Sequence, residues 1–259
     1  MILRALAKTV SAPLRAQLRQ RRLPQAARMQ VERDRVSLPP DPGPAAVIGP
    51  ALGWIMRAQD QSASADGGVA RHYSLIDGWA PTYPETTGYI VPTLIDQAAR
   101  RGDEALLNAA RRMTTMLMSA QFPDGGLPGG MVDQQPQVPV TFNTGQILLG
   151  FAAAAQQWRE PAMIDAMTRA SDFLASSQDE DGCWRSHRTP FAKAEDKAYE
   201  THVSWGLFEA ARVSERADWG AAGLRQTDWA IGRMRSNGFM DECCLTHAEM
   251  PLTHTLGYA

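Results

Sequence analysis

A carboxylate and an imidazole able to pass a proton back and forth are the chemistry to look for in this chain, and the candidates are Glu200 and His254. Each stands one residue before a recurring threonine. Aligning Thr87, Thr144, Thr201 and Thr255 gives steps of 57, 57 and 54 residues, and the residues just ahead of them are Thr86, Asn143, Glu200 and His254. If successive threonines open helices set round one axis, these four side chains form a partial ring at a common mouth. Thr86, Asn143 and the threonines also suit helix N-caps; Glu200 and His254 are not preferred there. Tyr199 and His202 flank Glu200 and are expected to assist it. Trp79, Tyr83 and Glu85, from the stretch 77–85, are expected to bind substrate together with Asn143 and Gln146. Aromatic platforms beside carboxylates and amides suit a sugar ring, which offers an apolar face to stack and hydroxyls to hydrogen-bond. Trp79, Tyr83 and Trp205 also read as packing residues, and for Trp205 packing fits better. Converging helix starts would favour an anionic group by roughly 0.3–1 kcal/mol each, which a uronate and a diphosphate satisfy equally.

The elements that must position these groups follow from a second marker. Asp66-Gly67-Gly68, Asp124-Gly125-Gly126, Asp181-Gly182-Cys183-Trp184 and Ser236-Asn237-Gly238-Phe239 recur at intervals of 58, 57 and 56 residues, in phase with the threonines. Two markers with one period identify a repeated supersecondary unit. Apolar spacing predicts helices over 51–59, 87–100, 103–121, 144–158, 161–178, 201–213 and 217–235. Each threonine-marked helix is followed by a link of a few residues, and each of the others by a long connection carrying the Asp-Gly marker. Long connections inside compact domains are usually functional. The pattern predicts an all-α fold, an α/α toroid of helical hairpins with a period of about 57 residues. The threonine-marked helices would form the inner ring, since Gly145, Gly150, Gly206 and neighbouring alanines allow close approach. The fourth threonine falls just before Ala259, which reads as a ring incomplete at its C-terminal end.

Composition narrows the partners. The chain has 259 residues, 44% hydrophobic, and a formal charge of -2, which offers nucleic acid no bulk attraction. Residues 1–40 nevertheless carry nine Lys or Arg against Glu32 and Asp34, and form a basic N-terminal arm distinct from repeats over 41–259. Within it, residues 1–23 alternate leucines and arginines at helical spacing. Such a segment fits peripheral contact with an anionic membrane, or a helix docked on the body through its leucines. Five prolines between 39 and 50 mark the entry to the repeats. The absence of a signal-like apolar segment and the three cysteines, Cys183, Cys243 and Cys244, suggest a cytoplasmic protein. The run Cys243-Cys244-Leu245-Thr246-His247 matches no zinc spacing, so neither metal nor cofactor is expected. Asp179-Glu180-Asp181 falls on the Asp-Gly marker and reads as turn chemistry.

The Gln-then-Asp-Gly elements, clearest at Gln121-Phe122-Pro123-Asp124-Gly125-Gly126 and Gln178-Asp179-Glu180-Asp181-Gly182-Cys183-Trp184, resemble the repeats of the terpenoid cyclase and protein prenyltransferase superfamily of α/α toroids. The threonine set, above all Tyr199-Glu200-Thr201-His202-Val203-Ser204-Trp205 and Leu252-Thr253-His254-Thr255-Leu256-Gly257-Tyr258, is similar to glucuronyl C5-epimerases and related toroid proteins of bacterial polysaccharide biosynthesis. The resemblance covers residues 45–259. It implies acid-base chemistry on an acidic sugar or glycan, of an epimerase, lyase or hydrolase kind. Two other functions remain open: a prenyltransferase-like or cyclase-like toroid binding an isoprenoid diphosphate, and a non-catalytic scaffold.

Overall fold

A computed structural model describes residues 18, 20–36 and 40–259. The basic segment 1–23 therefore lies almost entirely outside the described residues. Nine helices follow among the described residues: α1 Gln25–Val36, α2 Pro44–Asp60, α3 Pro84–Arg101, α4 Glu104–Ala120, α5 Thr141–Trp158, α6 Pro161–Ser176, α7 Thr201–Ser214, α8 Ala217–Ile231 and the short α9 Thr253–Leu256. A two-stranded antiparallel hairpin, β1 Tyr73–Ser74 and β2 Gly78–Trp79, stands between α2 and α3.

The helices sort into the two layers of an α/α toroid. Helices α3, α5 and α7 pack against one another in series on the inside, and α4, α6 and α8 each back the inner helix that precedes them. Each inner helix ends in a residue with left-handed backbone, Gly102, Arg159 or Glu215, and the next helix starts at once. One turn geometry thus serves three hairpins, with glycine in only the first.

Helix α5 shows why the inner layer reads as apolar throughout. Thirteen of its eighteen residues are buried, because α3 and α7 flank it and α6 lies behind, and beyond its first turn its polar side chains are confined to the concave side, at Gln146, Gln156 and Gln157. The inner helices meet almost backbone to backbone. A methyl added at Gly150 would lie 2.5 Å from the Gly88 carbonyl oxygen, and one at Gly206 would lie 2.5 Å from the Gly145 carbonyl oxygen. The same crossing is used twice, one repeat apart.

The Asp-Gly marker is a clip between outer helices. Asp66, Asp124, Asp181 and Asn237 each accept the backbone N–H two residues on, and Gly67, Gly125, Gly182 and Gly238 between them have φ of 82 to 95°. The amide of Gln59, Gln121 or Gln178 then donates both to the glycine carbonyl of its own turn and to a carbonyl of the next outer helix, at Ala109, Ala166 and Ala222.

The threonines are not caps. Helices α3 and α5 begin three residues earlier than expected, at Pro84 and Thr141, and no side chain caps α3, α5 or α7. Thr87 and Thr144 instead donate to the carbonyls four residues back and accept the N–H of Val69 and Leu127, the residues just after each Asp-Gly turn. Each hydroxyl therefore ties a long loop to an inner helix, which is why the two markers keep one phase.

Candidate functional site

The long loops and the starts of the inner helices enclose a cavity of about 320 Å³. Tyr83 and Glu85 reach it from the start of α3, Phe142 and Asn143 from α5, Tyr199 from the turn before α7, and His254, Thr255 and Tyr258 from α9 and its end. Arg71, Thr189, Phe191 and Leu245 complete the wall from the loops.

Glu85 is the centre of this arrangement. Its Oε2 accepts hydrogen bonds from the Tyr83 hydroxyl and from the Asn143 side-chain amide, both at 2.9 Å. Burial raises its pKa above the ordinary carboxylate value, against the smaller opposing influences of Tyr83, His254, Arg71 and Asn143. Desolvation also raises the phenol of Tyr83, so this hydroxyl is a fixed donor. The phenol of Tyr199 is raised in the same way, by burial first and then by Glu200. Tyr199 and Tyr258 both pack edge-on against Phe142, and Tyr258 also meets His254, giving one side of the cavity an aromatic lining.

A larger groove of about 910 Å³ runs along the concave face of α3, α5 and α7 and shares Tyr258 with the cavity. His202 and Gln146 face it, joined by a 2.6 Å hydrogen bond between Nδ1 and the amide nitrogen. Burial lowers the pKa of His202. Trp205, expected to pack, is half exposed in the same groove and meets the His202 ring edge-on.

Of the nine expected site residues, Tyr83, Glu85, Asn143, Tyr199 and His254 share the cavity, while His202 and Gln146 lie in the adjoining groove. Two stand elsewhere. Glu200 does not join a ring of helix starts: its carboxylate is 1% exposed and turned away to Lys197, which is itself fully buried, at 3.5 Å. Lys197 is held by the carbonyls of Trp184 and Glu195 at 2.9 Å each. Burial pushes the Glu200 carboxyl up to about 8, with Lys197 pulling the other way. The reason for the misplacement is local. A 3-10 turn over Ala198–Glu200 precedes α7 where α3 and α5 have regular helix, so the residue before Thr201 points differently from Thr86 and Asn143. Trp79 belongs to a separate cluster with Trp54 and Tyr73, its indole N–H donating to Gln61.

Sequence spacing passed over Arg71, Thr189, Phe191 and Leu245, which sit in loops with no repeat mark. Phe142 and Tyr258 were within reach, being part of the threonine marker. Two carboxylate and thiol pairs spaced as Asp-x-Cys, Asp181-Gly182-Cys183 and Asp241-Glu242-Cys243, could also be taken for metal ligands. Asp181 is engaged by Arg185 and Asp241 by Arg235, both cysteines are buried, and no metal-holding group of three His, Cys, Asp or Glu occurs among the described residues. No helix among them is long and apolar enough to cross a membrane.

No protein-family model matches the chain, and no curated protein is similar to it in sequence. Solved structures are similar in fold. An unsaturated glucuronyl hydrolase specific for heparin matches with a TM-score of 0.55 at 18% identity, over 74% of this chain and 48% of its own. A GH76 α-mannanase from Bacteroides thetaiotaomicron matches with a TM-score of 0.59 at 14% identity, over 78% and 54%. A possible member of the GH105 family from Salmonella enterica matches with a TM-score of 0.60 at 14% identity, over 81% and 62%. The chain spans about half to three fifths of the length of these structures, and identity at this level establishes the α/α-toroid fold alone.

Proposed function

We propose that this is a carbohydrate-active toroid protein performing acid-base chemistry on an acidic sugar unit of a glycan, in the cavity around Glu85. The observation that carries this reading is the Glu85 carboxyl itself. It is desolvated, held by Tyr83 and Asn143, and faces an aromatic wall and an imidazole at the point where the inner helix starts converge. A carboxyl of raised pKa keeps its proton nearer neutrality and can deliver it, while the exposed imidazole of His254 can accept one. The roles expected of Glu200 pass to Glu85, with His254 retained beside it.

The lining favours one kind of reaction. Hydrolysis by the common two-carboxylate route needs a pair of carboxyl groups roughly 5–9.5 Å apart across the bond. Glu85 is the one carboxyl among the described residues lining this cavity. A carboxyl paired with an imidazole suits removing a proton from the carbon beside a uronate carboxylate and returning or eliminating there, as an epimerase or lyase does. The solved structures of similar fold include proteins named for glucuronyl and mannan substrates, which supports a glycan in this cavity. An isoprenoid diphosphate is a poorer match, because the cavity wall mixes Glu85, Asn143 and His254 with its aromatics rather than presenting a deep apolar bore.

The test is turnover and binding on a panel of oligouronates with farnesyl diphosphate as competitor. Glu85→Gln and His254→Ala should abolish turnover with helix content unchanged, and Glu200→Gln should retain it. Full turnover by Glu85→Gln, or displacement of oligouronate by farnesyl diphosphate at equal concentration, would discard the reading.

A further inference from the structure

Arg71 lines the cavity, yet no described carboxylate or hydrogen-bond acceptor pairs with its guanidinium. Several arginines near the loops pair with carboxylates, Arg185 with Asp179, Asp181 and Asp196, Arg235 with Asp241 and Arg112 with Asp60, and Arg71 alone of the described arginines lines this cavity. Even Glu85, on the same cavity wall, accepts its hydrogen bonds from Tyr83 and Asn143 rather than from Arg71. An unengaged cation beside an acid already satisfied by other donors is placed for something that enters from outside.

The mounting of Arg71 points the same way. Its backbone N–H donates to Pro81, and Ala70 bridges Thr82, so residues 70–71 are pinned to the strand entering α3. Its guanidinium carbon lies over the Tyr83 ring, 5.6 Å from the centroid, and that ring is fixed in turn by its hydroxyl bond to Glu85. A guanidinium resting over an anchored ring has already given up some rotamer freedom. It can present two parallel N–H groups to a planar oxyanion at small further cost.

We propose that Arg71 is the specificity-determining residue of the cavity and binds the carboxylate of the sugar, setting that sugar's carboxylate side towards the loop and its ring towards Glu85. This rests on the reading of the cavity as a glycan site and adds to it the group that separates acidic from neutral sugars. The arrangement also separates the charges usefully: the substrate anion meets Arg71, while the enzyme's own carboxyl is kept for proton transfer.

The experiment compares an oligouronate with its carboxyl-reduced counterpart, identical except that each carboxylate has become a hydroxymethyl group. Binding is read by calorimetry on the wild-type chain, Arg71→Met and Arg71→Lys, with melting temperatures recorded for each. The wild type is expected to bind the oligouronate at least about tenfold more tightly than the reduced form. Arg71→Met should lose that margin while binding the reduced form as the wild type does, and Arg71→Lys should keep part of it. If the wild type discriminates and Arg71→Met discriminates equally, the assignment of Arg71 is overturned while the glycan site stands. If the wild type binds both forms alike, Arg71 reads no carboxylate. If it binds neither, the glycan reading itself falls, and this inference with it.

Discussion

Replacing Gly150 by alanine tests the inner ring on which every placement in the cavity depends. The added methyl would sit 2.5 Å from the Gly88 carbonyl oxygen, whereas ordinary contact begins near 3.4 Å. That carbonyl is helix backbone within α3, so it cannot swing aside as a side chain would. Relief requires α3 and α5 to separate by about 1 Å, which opens gaps along a tightly packed interface. Overpacking of this kind costs about 1–3 kcal/mol, and a rigid obstacle places it near 3. Alanine returns about 1 kcal/mol through its better helix propensity, leaving a net loss of about 2 kcal/mol. At this chain length that lowers the melting midpoint by about 4–8 °C. Gly206→Ala, whose methyl would meet the Gly145 carbonyl oxygen at 2.5 Å, should repeat the result one repeat further on. Gly220→Ala is the control: in α8 the nearest atom to its new methyl is Ala211 Cβ at 3.6 Å, so propensity acts alone and the midpoint should rise by about 2–4 °C. Thermal melting followed by far-ultraviolet circular dichroism reads all three. A Gly150→Ala protein that melts at or above the wild type would show that the inner helices do not touch through their glycines, and the cavity geometry would lose its basis.

Three other outcomes follow from the buried acids. Tyr83→Phe removes a hydrogen bond that favours the Glu85 carboxylate, so the Glu85 pKa should climb further and the alkaline limb of turnover should move to higher pH; an unmoved limb would remove Tyr83 as its donor. Glu200 carries a folded-state pKa of about 8 against 4.5 for the free side chain, so the folded chain holds a proton that the unfolded chain has lost between those values. Stability is therefore present at low pH and drains away as pH rises from about 4.5 to about 8. Glu200→Gln, which mimics the protonated form, should match the wild type in urea unfolding at pH 5 and become the more stable of the two by pH 8. Parallel curves would refute the raised pKa. Lys197→Met strands the Glu200 carboxylate without its cation and should cost about 3–5 kcal/mol at pH 9, with a smaller loss at pH 5 and partial recovery in the double variant with Glu200→Gln.

The fold was legible because its markers are covalently local and their jobs repeat. An Asx turn at Asp66, Asp124, Asp181 or Asn237 needs only its own residue and a glycine beside it, so it leaves the same trace each time. Thr87 and Thr144 bond to the residue after that turn, which locks the second trace to the first. Helix starts were less legible. The threonine hydroxyl returns to the carbonyl four residues back, so the visible mark stands a turn inside the helix rather than at its cap. The crossings of the inner helices were partly legible, since Gly145, Gly150 and Gly206 signal close approach, but only coordinates pair Gly88 with Gly150 and Gly145 with Gly206.

The candidate site shows the limit of reasoning by register. Periodicity says which positions are equivalent in the backbone, and a site is built where equivalent positions stop doing equivalent things. Asn143 uses the position before the threonine to hold Glu85, His254 uses it to line the same cavity, and Glu200 uses it to meet Lys197 in the interior. The difference arises in the few residues before the marker, where a 3-10 turn replaces regular helix and Lys197 stands three positions ahead of Glu200. Lys197 is anchored by the Trp184 and Glu195 carbonyls, and its amine meets the Glu200 carboxyl at 3.5 Å in the interior. Glu85 escapes that fate because its neighbours are a phenol and an amide, which hold a carboxyl at the cavity wall without burying a counter-charge beside it. Which glutamate reaches the cavity was therefore written in Glu85 and Asn143, 58 positions apart and first to be folded into contact, and in a lysine three residues before Glu200 whose direction no pattern of spacing records.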